Sequence, residues 1–432
     1  MKKFLNYKDC IDYLFNLERR GIKYDLTNIR KLLRFSGNPH KNFKSIHIAG
    51  TNGKGSVSSI INSILIESKI NAGLYTSPHI SDFRERIQVG GKFISKKFVL
   101  DYTARLFDEI ERIKPSFFEV TTAMAFEYFS FMKVKYAVIE TGLGGRLDST
   151  NIVTPLLSVI TAISLDHTGY LGKTIKSITN EKGGIIKKNV PVVIGNLSDQ
   201  STLILKKTAK KNNSPFILSH RKRNITISKR DAAGFQFSTD NLTDVLFPVT
   251  GDYQQNNIQT ALATIEVLGE KEKLNFKEEN IKKGFENVKK NSYLKGRFEK
   301  ISEDPAVIID VSHNVQAIKN IRNNLKYFKY KKLFVIFAMM ADKDFKSCLN
   351  EIDKLGAEKV IITKPDYRRA AEPDQIFRSL KAANEKYVLN DNVKSSYEYV
   401  SKLATKNDLI LVTGSFFLVS DFLDVFKNSD SK

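Results

Sequence analysis

The run Ile46-His47-Ile48-Ala49-Gly50-Thr51-Asn52-Gly53-Lys54-Gly55-Ser56 constrains this chain more than any other stretch. An apolar, β-branched segment leads into three glycines and a lysine, and a helical pattern follows from Val57. Strand, turn and helix in that order build a phosphate cradle. Gly50, Gly53 and Gly55 let the backbone turn tightly and come close to an anion. The freed N–H groups and the helix N-terminus then face the phosphates, and Lys54 adds a positive charge. The spacing is shorter than the general form of such loops and puts Gly55 between the lysine and the hydroxyl residue. An ordinary glycine-rich turn has no need for lysine, strand and helix to coincide in this way.

A chain of 432 residues exceeds one typical core, so two or three domains are expected. No apolar run approaches the roughly eighteen residues of a membrane span. The start, Met1-Lys2-Lys3-Phe4-Leu5-Asn6, turns polar too soon for a signal peptide. Cys10 and Cys348 stand alone without metal-ligand spacing, which suits a reducing compartment, and the cytoplasm is the expected location. The net charge of +22 favours polyanions such as ATP, an acidic substrate or nucleic acid. The lysines are dispersed, however, and aromatic residues do not interleave with them as a nucleic-acid platform requires. Neither a nucleic acid nor a membrane is expected as a partner.

Short apolar runs alternate with longer helical patterns, the mark of an α/β fold with a mostly parallel sheet. Strands are expected at 45–49, 72–76, 136–141, 157–163 and 190–194, and helices at 57–69, 121–132 and 252–268. The stretch 220–247 reads as a β excursion. A second α/β pattern brings strands at 307–311, 333–338, 359–363 and 408–412. The polar, glycine-containing segment 291–297 is the best linker, which divides the chain into 1–294 and 295–432. Low-complexity character is confined to 428–432.

Chemistry-bearing residues gather after the strands, where ligands bind in open α/β sheets. Ser77, in Tyr75-Thr76-Ser77-Pro78-His79-Ile80, offers a hydroxyl oxygen to a hard cation. Glu140 ends one strand and is followed by Thr141-Gly142-Leu143-Gly144-Gly145, an arrangement that suits a Mg²⁺ ligand beside phosphates. A buried glutamate without a cation is costly. His167, in Leu165-Asp166-His167-Thr168, faces the same crevice in this reading. Lys182, in Glu181-Lys182-Gly183-Gly184, reads as a solvated lysine or as a reactive amine whose pKa is lowered by burial.

Taken together these segments resemble the Mur ligase superfamily, and within it the folylpolyglutamate synthase/dihydrofolate synthase group. The resemblance is carried by Gly37-Asn38-Pro39, AGTNGKGS, YTSPHI, Phe83-Arg84-Glu85-Arg86-Ile87 and ETGLGGRLDSTN, then SLDHT, Glu181-Lys182, Gly296-Arg297-Phe298-Glu299, DVSHN and TGSFF. They span nearly the whole chain in the family's order. The resemblance implies a P-loop ATPase domain followed by a smaller Rossmann-like domain. It implies that Asn52, Gly53, Lys54, Gly55 and Ser56 hold the ATP phosphates, with Asn256, Arg297 and Asp310 contacting the nucleotide. Ser77 and Glu140 would bind one Mg²⁺, and His167 with a carbamylated Lys182 a second. His313, Asn314 and Ser415 match glutamate-side or ATP-side positions. Phe118, Leu147 and Asp148 match positions that hold the pterin. Lys54, His167, Lys182 and His313 are the expected catalytic residues. Gly183 stands where alanine is usual, and Val311-Ser312 replaces Gly-Ala. Both departures leave the metal and nucleotide assignments intact.

The implied reaction is amide synthesis driven by ATP. A carboxylate of dihydropteroate or folate takes the γ-phosphoryl group, and the amine of L-glutamate then displaces phosphate. A monomer is the expected state. Two alternatives remain open at this stage, another Mur-type amino-acid ligase and a P-loop kinase or ATPase; the latter leaves the second α/β unit unexplained.

Overall fold

The first sheet grows outward from the strand that carries the glycine loop. The structure, a computed structural model, describes residues 4–21, 24–222, 224–380 and 385–429. Strand β1 (Lys44–Ala49) is buried from Ser45 onward and lies between two other strands. The chain continues through β2 (Ala72–Tyr75), β3 (Ile87–Val89), β4 (Lys92–Phe93), β5 (Tyr136–Glu140), β6 (Leu157–Ile160), β7 (Val192–Ile194) and β8 (Phe216–Leu218). Their order in the sheet is β4-β3-β2-β5-β1-β6-β7-β8. All neighbours are parallel except the β2–β3–β4 edge. β1 leads to β2 on one side while β5, next to it, leads to β6 on the other. The loops leaving these central strands therefore diverge and open a crevice.

Strands β9 (Thr226–Asp231), β10 (Gly234–Thr239) and β11 (Leu242–Phe247) form the β excursion, a separate antiparallel sheet. It is not an appendage. Phe237 and Phe247 pack edge-on against Phe285 at 5.1 and 5.8 Å, in one core with Ile60, Ile64 and Ile258. The helix Phe117–Phe131 covers the other face with Phe126 and Phe129, and the N-terminal helices Tyr7–Asn16 and Thr27–Phe35 pack outside it.

The second sheet comprises β12 (Glu299–Glu303), β13 (Ala306–Asp310), β14 (Leu333–Phe337), β15 (Lys359–Ile362), β16 (Tyr387–Leu389) and β17 (Leu409–Thr413), in the order β12-β13-β17-β14-β15-β16. Only the β12–β13 edge is antiparallel. The α/β class, with a large, mostly parallel first sheet and a smaller second one, is as expected.

Several boundaries differ for identifiable reasons. The helix expected at 121 begins at Phe117, because Ser116 and Glu119 close a capping box: Glu119 N–H donates to Ser116 Oγ at 3.3 Å and Ser116 N–H to Glu119 Oε2 at 2.8 Å. β6 stops at Ile160 rather than 163; beyond it the chain stays tied to the glycine loop, Thr161 N–H donating to the Ala49 carbonyl at 2.9 Å and Thr161 Oγ1 to the Asn52 carbonyl at 2.7 Å. The hairpin β3–β4 turns on Gly90-Gly91 and is too short to show a period. The segment 291–297 is firmly rooted at its start: Asn291 and Ser292 are buried and bond to Ser63, Glu67 and the Ser59 carbonyl. Of the tail 428–432, residues 430–432 lie outside the described residues.

Candidate active site

The helix after β1 begins at Lys54, not at Val57. Gly53 turns the chain in the left-handed region at φ 85°, so Lys54, Gly55 and Ser56 form the first helical turn. Their N–H groups have no partner within the helix and are free for an anion. A Cβ on Gly53 would lie 2.3 Å from Asn257 Oδ1, so close packing also demands glycine there. Lys54 folds back over the loop. Its Nζ donates to the Gly50 and Thr51 carbonyls at 3.1 and 3.3 Å and stands 3.9 Å from Glu140 Oε1.

Glu140 ends β5 and is 4% exposed. It accepts one long bond, 3.4 Å, from the Ser77 N–H. Burial pushes its carboxyl up, against the pull of Lys54 and Arg297. An acid so buried and so weakly compensated is costly by itself. Ser77 and Glu140 both border the cleft beside the phosphate cradle, and their side chains offer hard oxygens of the type that suits Mg²⁺.

Lys182 lies across the loop and donates from Nζ to the Gly50 carbonyl at 2.8 Å. Burial, with Lys54 nearby, brings its amine down to about 7. As an amine it is a donor, not a ligand, and among the described residues no group of three or more His, Cys, Asp or Glu could hold a metal. Its lowered pKa does make a neutral, nucleophilic fraction available near neutral pH.

The second sheet faces these strand ends. Arg297 stacks over Phe416 at 5.2 Å, and its Nη2 would lie 3.3 Å from a Cβ on Gly55. Asp310 ends β13 and accepts from the Phe298 and Ser312 N–H groups at 2.8 and 2.9 Å. Asn314 and Asn52 exchange amide hydrogen bonds at 3.0 and 3.3 Å. Asp166 is the centre of the junction. It accepts from Lys343 at 2.6 Å and from Asn314 at 3.3 Å, and lies 3.4 Å from His313 Nε2. Burial alone would raise its carboxyl; the His313 hydrogen bond and the His313, His167 and Lys343 charges reverse that and hold it far below the usual range. Lys343 Nζ is also 3.1 Å from His167 Nε2. Burial holds the His167 imidazole down at about 3, with Lys343 adding to it and Asp166 opposing.

Asn52, Gly53, Lys54, Gly55, Ser56, Ser77, Glu140, His167, Lys182, Arg297, Asp310 and His313 thus border one open cleft. Asn256, Ser415, Asp148, Leu147 and Phe118 do not border it. Asn256 is exposed on the outer face of the helix Gln254–Glu272. One residue of helical phase decides this: Asn257 faces the loop and Gln254 reaches Ser56 Oγ at 3.5 Å. Ser415 is buried and caps the last helix, accepting from the Leu418 N–H at 3.1 Å. Asp148 is buried within the loop after β5, Leu147 is half-buried beside it, and Phe118 packs behind the cleft on Tyr75 at 6.0 Å. Sequence reasoning missed Asn257, Asp166, Lys343, Tyr253 and Phe416. The i, i+3 pair Gln254/Asn257 was the available signal for the first; Lys343 had none.

The segments on either side of this cleft match the Mur ligase middle domain over residues 48–265 and the Mur ligase glutamate ligase domain over residues 296–416. The chain belongs to the Mur ligase family. This Mur ligase is 31% identical over 433 residues to the dihydrofolate synthase/folylpolyglutamate synthase of Bacillus subtilis strain 168, covering 97% of this chain and 98% of the relative. Among solved structures it is similar to Mycobacterium tuberculosis folylpolyglutamate synthase complexed with ADP and AMPPCP, with TM-score 0.85, 27% identity, and 96% and 99% of the two chains covered. It is likewise similar to E. coli FolC in complex with DHPP and ADP, with TM-score 0.84, 27% identity and 100% of both chains covered.

Proposed function

We propose that this Mur ligase joins L-glutamate to the carboxylate of dihydropteroate and to the terminal γ-carboxylate of folates, using ATP and passing through an acyl phosphate. The observation that carries this reading is the buried Glu140 between Lys54 and Arg297, at the mouth of a phosphate cradle where the two sheets meet.

The backbone of Asn52 to Ser56 holds the ATP phosphates, and Lys54 leaves the loop carbonyls to meet them. Arg297 and Asp310 approach the nucleotide from the second sheet, with Asn257 fixing the loop from behind. The substrate carboxylate takes the γ-phosphoryl group in line, and ADP is released. The amine of glutamate then attacks the acyl carbon, and inorganic phosphate leaves. Most of the rate enhancement comes from charge placed before the reaction begins. His313 serves the glutamate or ATP side directly and Ser415 serves it through the helix it caps, while Phe118, Leu147 and Asp148 support the pterin side from behind the loop that follows β5.

Ser77 and Glu140 would hold one Mg²⁺, and His167 with a carbamylated Lys182 a second; bound there, the ions would neutralise phosphoryl charge. The amine of Lys182, lowered to about 7, supplies the neutral form that carbamylation requires. The division between units is placed at 294/295, giving 1–294 as the ATP-binding unit and 295–432 as the glutamate-ligase unit. The enzyme is read as a cytoplasmic monomer; no described helix is long and apolar enough to cross a membrane.

The test supplies ATP with dihydropteroate or tetrahydrofolate, with and without L-glutamate. ADP release that needs both acid and glutamate, with a product one glutamyl unit heavier, is expected. ADP release indifferent to glutamate would contradict the reading.

A further inference from the structure

Beneath the glycine loop that follows β5 lies a buried histidine with no part in the reaction as described so far. His47 sits in β1 between Ile139 of β5 and Ser158 of β6, and is fully buried. Three residues later the same strand becomes the phosphate cradle. His47 Nε2 is 2.8 Å from Thr150 Oγ1. Its Nδ1 has no hydrogen-bond partner. Thr150 Oγ1 in turn bonds to Asp148 Oδ1, which the Thr150 N–H also reaches at 2.9 Å. The other oxygen, Asp148 Oδ2, accepts from the Leu143 N–H at 2.8 Å.

Proton counting gives this chain a direction. A hydroxyl has one proton to donate. Given to the Asp148 carboxylate, it leaves the Thr150 oxygen to accept from His47, which must then carry its proton on Nε2. The opposite tautomer would bury an Nδ1–H without an acceptor, a worse outcome than an idle lone pair. Burial, with Lys187 adding to it, keeps the ring at about 3 and hence neutral at working pH.

The far end of the chain is the substrate side of the cleft. Leu143, whose N–H Asp148 accepts, borders the cleft together with Gly144 shortly after Glu140. Gly142 packs so closely on Phe118 that a Cβ there would lie 2.5 Å from the ring. The strand that presents the phosphates is therefore tied, through two side chains, to the loop that presents the acid.

We propose that His47 is a positioning residue for the acid substrate: through Thr150 and Asp148 it sets the glycine loop against which dihydropteroate or folate lies. This rests on the ligase reading above, and the wild-type enzyme in the same assay separates the two. His47→Leu keeps bulk without a donor, whereas His47→Gln returns an N–H at similar reach. Both His47→Leu and Thr150→Val are expected to raise KM for dihydropteroate about tenfold and leave KM for ATP within about twofold. His47→Gln should stay within about threefold of wild type, and the double variant His47→Leu/Thr150→Val should be no worse than the poorer single. Wild-type KM in His47→Leu, or equal loss in His47→Gln, would overturn the proposal. Should His47→Leu fail to fold, ¹⁵N spectra of histidine-labelled wild-type enzyme decide. A neutral Nε2–H tautomer unchanged from about pH 5.5 to 8 is expected; a titrating ring or an Nδ1–H tautomer overturns it. A wild-type enzyme without glutamate-dependent turnover would count against the ligase reading instead, and the spectra would still decide the fate of the hydrogen-bond chain.

Discussion

The two walls of the cleft use the same device, the C-terminal ends of parallel strands, and fill it differently. The first wall is built of backbone. Gly53 is left-handed, the Lys54–Ser56 N–H groups are free, and Gly142, in the loop after Glu140, packs against Phe118. The second wall is built of side chains carried by three separate segments: Arg297, then Asp310 with His313, and Lys343. Phosphate is gripped by many N–H groups at short range, which requires glycine and a fixed order of residues. Closure over a second substrate requires only charges on stalks, which any loop can carry.

The contrast predicts a graded set of losses. Lys54→Ala should be the most severe, lowering kcat/KM by about a thousandfold or more with the fold retained, because the proposed reaction relies on its charge at the transferring phosphoryl group. Near-normal glutamate-dependent turnover in that variant would place the phosphates elsewhere. Lys343→Met comes next. It leaves Asp166 buried without its closest cation, and a loss on the order of a hundredfold in kcat/KM is expected. If circular dichroism and kinetics both stay at wild type, the second wall does not close through Asp166.

Lys182→Ala should cost on the order of thirtyfold and regain part of its activity with added formate or acetate, which supply the oxygen ligands of the missing carbamate. Full activity without any additive would remove the carbamate from the account. The mildest test compares neighbours. Asn257→Ala should weaken ATP binding about tenfold through the loss of its contact with Gly53, while Asn256→Ala should stay within about twofold. Equal effects would mean that helix phase is not what selects the residue.

How much was legible in the sequence follows the same contrast. The first wall could be read almost completely, since a backbone site writes itself in glycines: Gly50 to Ser56 and Glu140 to Gly145 announced both the strand ends and the loops that border the cleft. Even so, the helix start at Lys54 was missed, because the left-handed turn at Gly53 has no signature that separates it from the two glycines flanking it. On the second wall Asp310 and His313 were found through the family pattern. Lys343, in Met340-Ala341-Asp342-Lys343-Asp344, was not, since a lysine between two aspartates reads as solvated surface until a partner more than 170 residues away is brought to it. Asn256 was chosen over Asn257 because two adjacent asparagines differ only in which face of the helix they occupy. The β12 and β16 edges are short and partly exposed, so no alternation marked them.

In the proposed reaction ATP activates a carboxylate on the first wall before glutamate attacks from the second. This order is tested most directly with dihydropteroate labelled with ¹⁸O in its carboxylate, incubated with ATP and L-glutamate, followed by mass spectrometry of the phosphate released. One ¹⁸O is expected to pass to phosphate for each amide formed. Amide formation with all of the phosphate unlabelled would contradict it.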